Sequence, residues 1–78
     1  MAQLTIQELE RATGILRDTL RVWERRYGFP APSRNIYGER LYDQQTVERL
    51  LMITKLLDAG YRIGKLATLS REGLLALI

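Results

Sequence analysis

Apolar positions recur at helical spacing between Leu16 and Tyr27. At 100° per residue, Leu16, Leu20, Trp23 and Tyr27 share one narrow stripe, predicted to be buried. Arg17, Asp18, Arg21, Val22 and Arg25 fall on the opposite side. Arginines four residues apart repel one another and weaken an isolated helix. A helix that keeps such a row points to an anionic partner, although a merely solvated polar face shows the same pattern. Upstream, Thr5-Ile6-Gln7-Glu8 reads as a capping box. Ile6, Leu9 and Thr13 then line one side of a short helix that stops at Gly14. Two short helices across so tight a glycine turn predict a helix-turn-helix. An αα-hairpin in a small bundle is the alternative, and the arginine face favours the DNA-binding version.

The second helix, Arg17 to Tyr27, must end by Gly28, with Phe29-Pro30-Ala31-Pro32 enforcing the stop. Over Ser33 to Tyr42 the strand formers Ile36, Tyr37, Leu41 and Tyr42 surround Gly38-Glu39. This predicts a two-stranded hairpin with its tip near Tyr37 to Glu39 and Arg34 and Arg40 flanking it. Placed after a helix-turn-helix, such a hairpin is a wing, with a structural loop as the alternative. Asp43 caps a third helix, Gln44 to Asp58. There Val47, Leu50, Leu51, Ile53, Thr54 and Leu57 form the expected inner arc, with Met52 and Leu56 outside. Gly60 ends it. Arg62 to Leu69 forms a short helix, and Ser70 caps a last one. The expected fold is mainly α, a winged helix-turn-helix of four to five short helices plus a two-stranded wing, one domain over residues 1–78. The apolar ending Leu74, Leu75, Leu77 and Ile78 suggests either a continuing chain or a contact with a second copy.

Composition narrows the function. The chain has 78 residues, 46% of them apolar, with no cysteine and no histidine. A disulfide framework and a thiolate metal site are thereby excluded, and the nine carboxylates show no metal-loop spacing. No nucleophile motif or glycine-rich phosphate loop occurs, so the chain does not read as an enzyme. No signal-peptide pattern or membrane-length apolar run is present, and the expectation is a cytoplasmic, nucleoid-associated protein. Net charge is +3, and residues 17–40 hold six arginines against three acids, hence all of the excess. Arginine forks suit phosphate oxygens and guanine edges, so the footprint is one for nucleic acid.

Several motifs together resemble the DNA-binding domain of MerR-family transcription regulators. They are Leu4-Thr5-Ile6, Ala12-Thr13-Gly14, Thr19-Leu20-Arg21-Val22-Trp23-Glu24-Arg25, then Pro32, Arg34, Gly38, Arg40, Tyr42 and Leu57-Asp58-Ala59-Gly60. The run from Trp23 to Pro30 and the segment Gly60 to Leu66 are similar to the cobalamin-dependent, light-responsive CarA/CarH-type repressors. The resemblance implies an effector- or light-responsive repressor in which an effector region follows this domain. It implies no cofactor within this chain, with cobalamin belonging to a C-terminal region, and a homo-oligomer only in the full-length protein. Glu10 departs from the small residue usual in the family, either changing how the first two helices approach or tilting to solvent. Glu39 also departs, at the wing tip.

The expected partner is double-stranded DNA, with the Arg17–Tyr27 helix in the major groove. Arg17 and Arg21 are expected at or near base edges and Val22 at a thymine methyl. Thr19, Arg25, Arg26, Arg34, Tyr37 and Arg40 are expected on phosphates. Asp18, Asn35 and Tyr42 complete the expected contact set, while Trp23 fits either the core or a phosphate through its indole N–H. Two alternatives use the same fold: a winged-helix protein-interaction adaptor, and a self-contained, excisionase-like architectural DNA binder.

Overall fold

In the computed structural model, which describes residues 3–78, five helices and one two-stranded hairpin follow one another along the chain. Helix α1 spans Ile6–Thr13, α2 Arg17–Tyr27, strand β1 Ser33–Arg34, β2 Arg40–Leu41, α3 Gln44–Asp58, α4 Ile63–Leu66 and α5 Arg71–Leu77. The expected winged helix-turn-helix is therefore the observed architecture. The capping box forms as read. Thr5 Oγ1 accepts the Glu8 amide at 3.2 Å, and Glu8 Oε1 accepts the Thr5 amide at 2.8 Å. Gly14 and Gly28 close α1 and α2 in the left-handed region, at φ 76° and 74°, which only glycine enters without steric cost. Thr13 stitches the tight turn: its hydroxyl donates to the Leu9 carbonyl and accepts the Ile15 amide.

The core gathers around α3, which packs against α1, α4 and α5. Leu9, Leu20, Leu50, Ile53, Leu66 and Leu74 are fully buried there, together with Tyr42. Helix α2 packs chiefly on α1, and it lends Leu20 and Trp23 to this core. Three predicted positions are reversed. Leu16 is 65% exposed, because the backbone is still extended there and the helix begins one residue later. Ile15 takes the inward place. On α3 the buried arc includes Leu56 and excludes Leu51, because the face that meets α1, α4 and α5 runs through Val47, Leu50, Ile53 and Leu56. The fourth helix is also shorter than the predicted Arg62–Leu69.

The wing is anchored at its base by a pairing the sequence pattern did not suggest. Leu4 and Tyr42 exchange backbone hydrogen bonds of 2.7 and 2.8 Å, so residues before α1 form an antiparallel bridge with the end of β2. This ties the wing to the start of the helix-turn-helix. Arg49 of α3 ties the segment after α2 to the one before α5. Its guanidinium lies 4.0 Å from the Phe29 ring centroid, and Nη2 donates to the Leu69 carbonyl at 2.7 Å. Phe29 and Pro30, which follow α2, are buried and joined by a cis peptide bond.

Candidate nucleic-acid interface

Helix α2 carries the basic face because its other side is committed to the core. Leu20 and Trp23 are buried, so the Trp23 ring packs in the core. Arg21, Arg25 and Arg26 are exposed and Arg17 half-exposed. Asp18 is open to solvent and lies 4.0 Å from the Arg21 guanidinium. Thr19 and Val22 are half-buried, and Val22 packs against the core. Arg26 reaches over the Tyr27 ring, 5.8 Å from its centroid.

The wing presents the remaining predicted residues. Ser33 pairs with Leu41 and Arg34 with Arg40, so the two arginines stand directly opposite each other on one face of the hairpin. Like charges opposed across a strand pair are destabilising, and each arginine has its own acceptor. Arg34 Nη1 donates to the Gly38 carbonyl at 2.7 Å, and Arg40 Nη1 donates to Glu24 Oε1 of α2 at 2.9 Å. Asn35 builds the tip. Its Oδ1 accepts the amides of Tyr37 and Glu39 at 2.9 and 3.1 Å, and its Nδ2 donates to Glu39 Oε1 at 2.8 Å. The Asn35 side chain, expected as a DNA contact, is thus occupied in shaping the turn. The same bond draws the Glu39 carboxylate into the hairpin. Ile36 and Tyr37 are left exposed at the tip.

Tyr42 departs most from its expected place. It is 1% exposed, on the core side of the strand, and so supports the wing from within instead of offering a surface contact. Burial, then the nearby Glu24 carboxylate, raises its pKa, with Arg40 and Arg21 acting in the opposite direction.

Two residues outside the predicted set shape the site. Glu10 accepts from Arg17 Nε at 3.0 Å, joining α1 to α2, so of the two expectations it takes part in how the helices approach and does not tilt away to solvent. Glu24 joins α2 to the wing through Arg40. Neither pair is legible locally, since the partners are seven and sixteen residues apart and belong to different elements. Between α2 and the wing lies a cleft of about 370 Å³ lined by Arg21, Glu24, Arg25 and Arg40. A second, of about 230 Å³, lies toward the α1 N-terminus and is lined by Thr5, Ile6, Gln7, Arg21, Glu39 and Arg40. Arg21 and Arg40 stand between the two. Guanidinium groups stay charged at any working pH, so this surface is permanently cationic. Among the described residues, no three carboxylates cluster as metal ligands, and no helix is long and apolar enough to cross a membrane.

Residues 4–73 match the family described as "MerR HTH family regulatory protein". The HTH-type transcriptional regulator MlrA of Escherichia coli (strain K12) is 36% identical over 69 residues, covering 88% of this chain and 28% of the relative. The HTH-type transcriptional repressor CarA of Myxococcus xanthus is 46% identical over 56 residues, covering 70% of this chain and 19% of the relative. The mercuric resistance operon regulatory protein of Bacillus cereus is 36% identical over 61 residues, covering 78% and 46% respectively. The matched region thus spans less than half the length of each of these relatives, and under a third of MlrA and CarA.

Proposed function

This chain belongs to the MerR helix-turn-helix family of regulatory proteins, and from that premise we propose that it is the operator-binding domain of a longer transcription regulator, a repressor responsive to an effector or to light. Its partner is double-stranded DNA, read sequence-specifically in the cytoplasmic, nucleoid-associated compartment. The observation that carries this reading is the division of α2. Leu20 and Trp23 seat one side in the core, while Arg17, Arg21 and Arg25 rise in a row on the other, beside a wing bearing Arg34 and Arg40. Such a helix fits the major groove, with Arg21 over a base edge and Val22 near a thymine methyl. Thr19, Arg25, Arg26, Arg34, Tyr37 and Arg40 take phosphates, while Asn35 and Tyr42 hold the wing that presents them.

A cobalamin effector finds no fitting site in these residues. The chain has no histidine or cysteine, and its two surface clefts hold only about 370 and 230 Å³. On this reading, cobalamin or any other effector belongs to a C-terminal region, as does the contact that pairs two copies on a palindromic operator. One module with net charge +3 meets few phosphates and binds weakly alone. Two linked modules gain affinity because the second contact becomes intramolecular.

Fluorescence anisotropy on random duplexes, and on duplexes selected by the protein from a random library, tests the reading. Binding should weaken steeply between about 50 and 200 mM salt. Arg21→Ala should cost about 1–3 kcal/mol on the selected duplex and relax base preference at one position. Arg34→Ala should weaken all sequences alike and lower the salt slope by about one ion. Absence of salt-sensitive binding to any duplex would refute DNA binding and favour a protein-interaction adaptor.

A further inference from the structure

Arg40 differs from the other interface arginines in how it is held. It sits on a strand of two residues, in a hairpin that has no third full strand to stiffen it. A guanidinium on such a mount has many rotamers to lose on binding. Glu24, on the eleven-residue helix α2, removes much of that freedom. Its Oε1 takes Arg40 Nη1 at 2.9 Å, with the two side chains 26% and 35% exposed. That bond uses one donor of a fork that carries five. Arg21 and Arg25 line the same cleft from α2. Tyr42, two residues beyond Arg40, is buried in the core next to this corner.

We propose that Glu24 is a positioning residue for DNA recognition: it pins Arg40 across the cleft so that Arg25 and Arg40 form a preorganised seat for a single backbone phosphate, beside the Arg21 that reads a base edge. This rests on the DNA-binding reading and adds to it a role for a carboxylate that touches no DNA. The seat has two consequences. Arg40 reaches its phosphate without ordering cost when the domain lies in specific register. In a register that offers no phosphate to the seat, the pinned Arg40 cannot swing out to another one and its charge stays partly cancelled by Glu24, so indiscriminate attraction to DNA is held down. Glu24 thereby widens the gap between specific and non-specific affinity. The Glu10–Arg17 pair does not have the same use. It joins two helices already fixed by packing, so the carboxylate orders little that is not ordered without it.

The test compares wild type with Glu24→Gln, which keeps size and removes charge, and Glu24→Asp, which keeps charge. Nitrogen-15 relaxation of the Arg40 Nε–Hε group in the free protein should show an ordered side chain in wild type and a mobile one in Glu24→Gln. On random duplex, Glu24→Gln should bind about 3- to 8-fold more tightly at 0.1 M salt, with a salt slope steeper by about 0.9. On a duplex selected by wild type, the specific-to-random ratio should fall by on the order of fivefold. Glu24→Asp should keep the wild-type salt slope. Circular dichroism melts confirm that each variant is folded. Equal Arg40 mobility in wild type and Glu24→Gln overturns the positioning role, as does an unchanged specific-to-random ratio while wild type binds normally. Failure of wild type to bind either duplex overturns the DNA reading itself, and the phosphate seat with it.

Discussion

Removing Glu10 should move stability and DNA affinity in opposite directions. The carboxylate holds Arg17 Nε at 3.0 Å, with side-chain exposures of 23% for Glu10 and 43% for Arg17. A pair so open to solvent contributes only about 0.2–1 kcal/mol. Alanine is the better helix former and returns a few tenths of that in the middle of α1. Glu10→Ala should therefore destabilise by less than about 1 kcal/mol, a fall in melting temperature of no more than about 8 °C for a domain of this size. Binding changes for a different reason. Net charge rises from +3 to +4, and the new unneutralised cation lies on the arginine face of α2. One additional phosphate neutralised adds about 0.9 to the logarithmic salt slope, which corresponds to about 3- to 8-fold tighter binding at 0.1 M salt. Urea or thermal unfolding gives the first quantity. Anisotropy titrations from about 50 to 200 mM salt give the second. If affinity fell in step with stability and the salt slope did not rise, Glu10 would be positioning Arg17 and the charge argument would be refuted.

Other expectations concern the frame behind the interface. Leu20→Ala should cost about 2–5 kcal/mol, since the side chain is 1% exposed. Leu16→Ala should stay within about 0.5 kcal/mol, since Leu16 is 65% exposed; urea unfolding of the two variants separates them. Asp43 accepts the Thr46 amide and hydroxyl, which hold its carboxyl below the usual value of 3.8, so its contribution is present above that value and lost as pH falls through the lower folded one. Asp43→Asn, an equally good cap, should keep neutral-pH stability and flatten this acid limb, whereas Asp43→Ala should cost about 1 kcal/mol at neutral pH. For Tyr42, burial and then Glu24 raise the hydroxyl pKa, so stability is intact below the ordinary value of 10.0 and falls as pH rises through the folded value. Tyr42→Phe should lose that part of the alkaline limb in pH-dependent melts.

Much of this protein follows from local rules that act within one or two helical turns. The Thr5 capping box, the Asp43 and Ser70 caps and the glycine stops at Gly14 and Gly28 need only neighbouring residues to form, so their positions are written in the chain. The same holds for the arginine row of α2, because a helix sets its own face spacing once its inner stripe is recognised. Tertiary structure decided what depends on partners far apart in sequence. Leu16 and Leu56 changed places with Ile15 and Leu51 because burial depends on where a helix starts and which elements wrap it, not on hydropathy alone. Tyr42 went into the core because its backbone pairs with Leu4, a bridge between segments too short to carry a strand signal. Asn35 and Arg34 spend their polar groups on the wing itself, and Arg17 and Arg40 meet carboxylates on other elements. A count of arginines therefore describes the charge of this surface correctly, while which guanidinium is free, which is held, and in what direction it points are consequences of packing.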